Sequence, residues 1–269
     1  MKKVKAQYPK FKALLRFAGI ILGLLSSLLV SHNASAELTA IANHDHITID
    51  FFYHGSSVSV RGISDPGTDL IVKITSPEGD QSLRTKGKVA GILWMNVGSV
   101  TFQHIPSLYL LHSTKKVEDI LGKEERDRNA IGYESLEHRA EMHPVANEIE
   151  KSKWFGEFVK FKENSRLYSS VPGKVSVTEK DGKQDYYVMM DWPYQAAPGN
   201  YTVTVHAVKD KKVVETAETK VLVEQVGIVK SFAGMAKSNG ALYGMISIMA
   251  ALAAGFGVGI VFRRGGGAH

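Results

Sequence analysis

Ala197-Pro-Gly-Asn-Tyr-Thr-Val-Thr-Val205 is the stretch on which the fold turns. A Pro-Gly pair marks a turn, and Tyr201, Val203 and Val205 then fall at every second position. Side chains along a strand point alternately to its two faces, so these three share one face and are predicted to face a core. Lys209-Asp-Lys-Lys212 reads as a hairpin leading into a last strand that ends near Val223. Upstream, Lys174-Val-Ser-Val-Thr178 and Tyr186-Tyr-Val-Met-Met190 have strand composition. Residues 168–236 therefore form one β-rich region.

Pro-Gly-x-Tyr followed by alternating valines resembles a strand of immunoglobulin-like domains, where a corner tyrosine bonds back to the backbone. A first β-rich region spans 37–113. It contains Ile47 to Phe52, Val58 to Arg61, Leu70 to Thr75, Val89 to Trp94, Val97 to Phe102 and Leu108 to Leu111. Ser76-Pro77-Glu78-Gly79 supplies a clear turn signal. Residues 114–167 read as a helical insertion broken near His143-Pro144, since proline disfavours helical geometry before it. Trp154, Phe155, Phe158, Val159 and Phe161 make its apolar cluster, expected to pack on a sheet. The predicted class is mainly β: an immunoglobulin-like sandwich-type exported region with a helical insertion, plus one C-terminal transmembrane helix.

The two ends carry targeting patterns. Lys2, Lys3, Lys5, Lys10, Lys12 and Arg16 precede an apolar run from Phe17 to Val30, and Ala34-Ser35-Ala36 follows. A basic segment, a short apolar core and a small-x-small site predict a signal peptide over 1–36. Ala241 to Phe262 is an apolar run without a charge, long enough at ~1.5 Å per residue to cross a ~30 Å hydrocarbon layer. A transmembrane helix is expected over 237–264 with a tail at 265–269. By the positive-inside rule Arg263 and Arg264 keep that end cytoplasmic, with the main domain periplasmic at a bacterial inner membrane.

Charge and cysteine usage narrow the classes. The formal net charge of +6 comes from 33 basic and 27 acidic residues. Six of the basic residues lie in the predicted signal peptide and none of the acidic ones, so the remainder is balanced at 27 against 27. A nucleic-acid partner loses its electrostatic support. With no cysteine, disulfides, thiol chemistry and covalent c-type haem are excluded.

Several blocks occur together: Lys88-Val-Ala-Gly-Ile-Leu-Trp-Met-Asn96, Val100-Thr-Phe-x-x-Ile-Pro-Ser-Leu-Tyr109, Pro198-Gly-Asn-Tyr-Thr-Val203 and a closing glycine-rich helix with Phe262-Arg-Arg264. With the signal peptide, this combination resembles a family of uncharacterised transmembrane proteins first described from alphaproteobacteria. The resemblance covers nearly the whole mature chain. It implies topology and domain extent, and no catalytic residue comes with it.

Candidate sites are few. His44-Asp45-His46 would place two imidazoles on one side of a strand, and with His54 they could begin a copper or zinc site; a solvated strand start is the plainer reading. Glu134, His138 and Glu141 share helical spacing, as do many solvated faces. Tyr186, Tyr187, Trp192 and Tyr194 could form a sugar platform or fill sandwich edges. In the apolar helix, Ala251, Gly255 and Gly259 stand four apart, a stripe that lets another helix approach closely. There is no Gly-x-Ser-x-Gly, phosphate loop or zincin signature. These features suit an accessory or scaffold subunit, without enzymatic chemistry or a cofactor, that docks on an integral membrane protein or itself. The alternative is a periplasmic metal- or ligand-binding protein serving a transporter.

Overall fold

A computed structural model describes residues 37–89 and 91–263. The predicted signal peptide, Arg264 and the tail 265–269 lie outside the described residues. Alternation along β12 (Gly199–Lys209) decides the core: Tyr201, Val203, Val205 and Ala207 are buried on one face, as the sequence predicts. β12 pairs antiparallel with β13 (Lys212–Gln225) on one side and with β4 (Asp69–Thr75) on the other. The two β-rich regions of the sequence thus interleave in a single sandwich.

One sheet has the order β2-β13-β12-β4-β7-β9, with β2 (His46–Ile49), β7 (Tyr109–Ser113) and β9 (Tyr168–Pro172). The facing sheet runs β1-β3-β11-β10, with β1 (Ile41–Ala42), β3 (Ser56–Ser64), β11 (Lys183–Trp192) and β10 (Ser176–Lys180). The first strand is split between them. β1 runs antiparallel to β3, and β2 crosses to run parallel to β13, as in immunoglobulin-type sandwiches. Val58, Val60, Val188, Met190 and Trp192 meet Leu70, Val72, Ile74, Val203, Val205 and Val221 between the sheets. Each such side chain contributes about 1.5–3 kcal/mol on burial. The Tyr201 hydroxyl donates to Ala197 O at 2.6 Å, and its ring meets Trp192 edge-on at 4.7 Å, so the corner expected from Pro-Gly-x-Tyr is present.

The outer face of the larger sheet is also apolar, and the insertion covers it. The insertion consists of α1 (Val117–Ile120), α2 (Lys123–Arg128), α3 (Tyr133–Arg139), strand β8 (Glu141–His143) and α4 (Glu148–Asn164). Ile71, Tyr109, Leu111, Phe155, Phe158 and Tyr168 form this second core. Of the predicted cluster, Phe155, Phe158 and Val159 are buried, Trp154 is partly so, and Phe161 points outward. Asn147 caps α4 by accepting from Glu150 N, and Glu150 Oε2 accepts in return from Ala146 N. Lys162 is buried at the far end of α4, donating to Gln81 Oε1 and Ser107 O, and burial lowers its pKa to about 8.

Four expectations need correction. Residues 141–143 are a strand paired with β6 (Leu93–Pro106), not helix. The predicted strands Val89–Trp94 and Val97–Phe102 are parts of a long hairpin, β5 (Glu78–Val89) with β6, whose turn falls inside the apolar run at Gly91, φ +75°. The strand read from Ile47 to Phe52 stops at Ile49, because the Asp50 carboxylate accepts from Phe52 N and turns the chain. Residues 227–236, placed in the second β region, belong to a helix, Gly227–Ser238.

Two outcomes test the core. Tyr201→Phe should cost about 0.5–1.5 kcal/mol in denaturant unfolding while leaving the chain folded, whereas Val203→Asp should prevent folding by burying an unpaired carboxylate. Buried His206 has Nδ1 3.0 Å from Thr216 Oγ1 and Nε2 without a partner among the described residues. Burial first, and Lys73 second, lower its pKa from 6.5 to about 4. The unfolded chain therefore takes up this proton before the folded one does. Stability should be full above pH 6.5 and fall towards pH 4 by on the order of 3 kcal/mol, and His206→Asn should flatten that stretch of the curve.

Candidate functional site

Past β13 the chain forms two helices, α5 (Gly227–Ser238) and α6 (Gly240–Arg263). Asn239 joins them, its Oδ1 accepting from Leu242 N at the first turn of α6. Ile228, Val229, Phe232, Ala233 and Ala236 recur at helical spacing on α5, while Lys230 and Lys237 fall between them. Tyr243, Ile246, Ser247 and Ala250 of α6 and Phe51 line one apolar groove with that stripe, and Phe232 meets Tyr243 edge-on at 6.5 Å. Phe51 and Phe52 are 74 % and 76 % exposed. They follow β2, whose last residue Ile49 pairs with Gln225 at the end of β13, so loop and helices leave the sandwich at one end.

Along α6, Gly240–Ile260 is long and apolar enough to cross a membrane, and none of it is buried against the rest of the chain. Ala251, Gly255 and Gly259 do fall on one face, where with Leu252, Phe256 and Ile260 they line a shallow groove of about 530 Å³. A Cβ built at Gly255, Gly257 or Gly259 meets nothing within 4 Å. No contact with another part of the described chain therefore calls for glycine there. Arg263 closes α6.

The histidines do not share a strand face. His44 lies in the crossing between β1 and β2, where the chain changes sheets, and His54 is exposed before Gly55. His46 Nε2 lies 2.9 Å from Glu224 Oε1 across the parallel β2–β13 pair. Among the described residues no group of three or more acidic or histidine side chains is placed to hold a metal. Glu134 pairs with Lys123 and Arg126, and His138 Nδ1 lies 3.1 Å from Asp127, which are surface contacts of α2 and α3. Strand alternation divides the aromatic set along β11, with Tyr186 and Trp192 in the core and Tyr187 outward, and Tyr194 is exposed in the turn beyond the strand. They form no common platform.

A feature not read from the sequence is a cleft of about 430 Å³ at the sandwich side, between β7, β9 and β11. Arg166, Lys174, Glu163, Asp191 and His112 line it together with Met189 and Met190. Burial, then Lys174, lower the His112 pKa, so the ring is neutral, and its buried Nδ1 has no partner among the described residues. These residues come from α4, β7, β11 and the loops on either side of β9, and no local pattern in the sequence joins them.

The fold and its exposed apolar helix define a β-sandwich protein equipped for a membrane. The family model described as "Putative transmembrane protein (Alph_Pro_TM)" matches residues 37–264, and the chain belongs to that family. No curated protein matches the chain.

The His46–Glu224 pair is half-exposed, so breaking it should matter little. His46→Ala is expected to leave the melting temperature of the purified chain unchanged, with zinc and copper well below one equivalent before and after. Stoichiometric metal that disappears with His46→Ala would reverse this reading.

Proposed function

We propose that the protein is a single-pass, membrane-anchored accessory or scaffold subunit that docks on a larger membrane protein complex. Its sandwich stands in the periplasm, α6 crosses the bacterial inner membrane, and the Arg263–Arg264 end is cytoplasmic. The chain binds and positions and carries out no catalysis. The observation that supports this is the Ala251, Gly255, Gly259 groove on α6. Glycine weakens a helix relative to alanine by about 1 kcal/mol each, yet nothing in the described chain occupies the space these residues leave open. In a bilayer, such a stripe gains dispersion contacts when a second helix lies along it. The partner is an integral membrane protein or a second copy of the chain, with lipid around the rest of α6 and no nucleic acid.

A second reading, a periplasmic ligand-binding protein serving a transporter, is favoured by the side cleft alone. Arg166 and Lys174 suit a small organic anion, with His112 beside them. The two readings separate in one experiment. Gly255→Leu with Gly259→Leu should leave membrane insertion intact and abolish co-purification with the partner or with a differently tagged second copy, while Ile246→Leu does neither. Retention of every association by the double variant would reduce α6 to a tether and leave the cleft as the better lead.

A further inference from the structure

The β5–β6 hairpin is an arm whose far half stands exposed among the described residues. β4 and β7 pair up to Thr75↔Tyr109, Ser76 N donates to Leu108 O, and pairing resumes at Glu78↔Pro106. The arm is therefore the outward continuation of two sandwich strands. At ~3.3 Å per residue its 12-residue first strand reaches about 40 Å. Near its root, Phe102 stacks on Phe158 at 4.4 Å and Tyr168 Oη donates to Pro106 O. Beyond Val100 every residue of β6 up to Leu93 is exposed.

The tip has two unlike faces. Residues opposite one another in an antiparallel pair share a face. Val89 with Leu93, and Gly87 with Met95, make one of them. Val97, left without a partner by the register shift between Thr85 and Lys86, joins this face, since a Cβ built on Gly87 would sit 2.8 Å from Val97 Cγ2. Lys88 with Trp94, and Lys86 with Asn96, make the other, with Lys88 Nζ 5.6 Å from the centroid of the Trp94 ring. Ile92 at the apex is 82 % exposed and Trp94 66 %. Arg84, Lys86 and Lys88 add three positive charges, and no acidic residue occurs between Asp80 and Glu118.

A soluble surface rarely leaves so contiguous an apolar patch uncovered. We infer that the tip of this arm inserts into the interface of an anionic lipid bilayer, the same one that α6 crosses. The location of its root supports that occupant. Thr75 pairs with Tyr109 and lies beside Thr202 near the start of β12, opposite the end of β13, so the arm leaves the sandwich at the end from which α5, α6 and Phe51-Phe52 also leave. An apolar apex at Ile92, then Trp94 level with Lys88, then Lys86 behind them is an order that suits hydrocarbon, headgroup and anionic surface as they are met on entering a leaflet. A protein partner would need acidic groups facing Lys86 and Lys88 beside an apolar socket; the leaflet supplies both.

The chain has no cysteine, so Ile92→Cys and, as a control on exposed β10, Thr178→Cys each accept one environment-sensitive fluorophore. The labelled full-length protein is reconstituted into dilute protein-free vesicles of phosphatidylcholine with or without phosphatidylglycerol. In phosphatidylglycerol vesicles the label at position 92 should emit to the blue and be quenched by bromine on acyl chains rather than by aqueous iodide. The label at 178 should stay accessible to iodide. Lys86→Glu with Lys88→Glu should return most of the position-92 signal to the aqueous value. A label at 92 that iodide reaches equally in both vesicles overturns the inference. So does one protected only in native membranes containing other proteins, which would make the arm a protein-docking element. Neither result depends on the α6 stripe, so failure here and failure of the docking reading are separable.

Discussion

β12 sits between β13 and β4, and the antiparallel pairing on its two sides determines where every later element leaves the sandwich. Its inward residues Tyr201, Val203, Val205 and Ala207 are all buried, so a one-residue slip would turn four core side chains to the other face. That penalty locks the register. Once it is locked, β13 must end and β4 must end at the same end of the sandwich as β12 begins. β13 hands over to α5 and α6, and β4 hands over to the arm. The Tyr201–Ala197 bond and the Trp192 contact stand at that end too, holding the loop from which β12 starts.

The larger sheet carries a second constraint. Ile71, Leu111 and Val208 make its outer face apolar, and an immunoglobulin-type sheet left so would expose a broad hydrophobic surface. The helical insertion removes that surface from water, at the cost of burying Lys162 between Gln81 and Ser107 O. Both contacts lie at the root of the arm, next to the Phe102–Phe158 stack. The insertion therefore holds the arm's base rigid while leaving its far half free.

What the sequence made legible follows from where a single dominant force sets the pattern. Tyr201, Val203 and Val205 alternate with Thr202, Thr204 and His206 because one face of β12 meets the apolar core between the sheets while the other carries polar side chains, and the hairpin at 209–212 follows from its turn residues. The uncharged run in α6 is equally plain. The arm is hidden for a physical reason: Val89 to Trp94 is apolar on both sides of a turn, so composition signals one strand where Gly91 reverses the chain. The two-residue spacing of His44 and His46 suggests one strand face because a crossing between sheets has no hydrophobic signature. Helix α5 is short and directly continues the β13 segment, and Lys230 and Lys237 break its composition, so nothing in the sequence marks a boundary at Gln225. The side cleft escaped because Arg166, Lys174, His112 and Asp191 meet only through the sheet order.

Apolar exposure in this chain is not spread evenly. Phe51-Phe52, the stripe of α5 and the arm all leave the sandwich where β13 ends, and each presents large apolar side chains, with lysines beside those of α5 and the arm. Chance surface residues would be scattered singly over both ends. A bilayer accounts for the three together, since one helix crossing it brings everything rooted at that end within reach of the headgroups. A contact at the arm, away from the groove that Phe51 shares with α5 and α6, also constrains what one helix cannot. A lone transmembrane helix allows the domain to tilt and spin, whereas a loop, a helix and an arm seated in the same leaflet restrict both motions. The sandwich, its side cleft and the α6 groove would then meet neighbouring membrane proteins in a limited range of orientations, which is the geometric requirement for a subunit that docks.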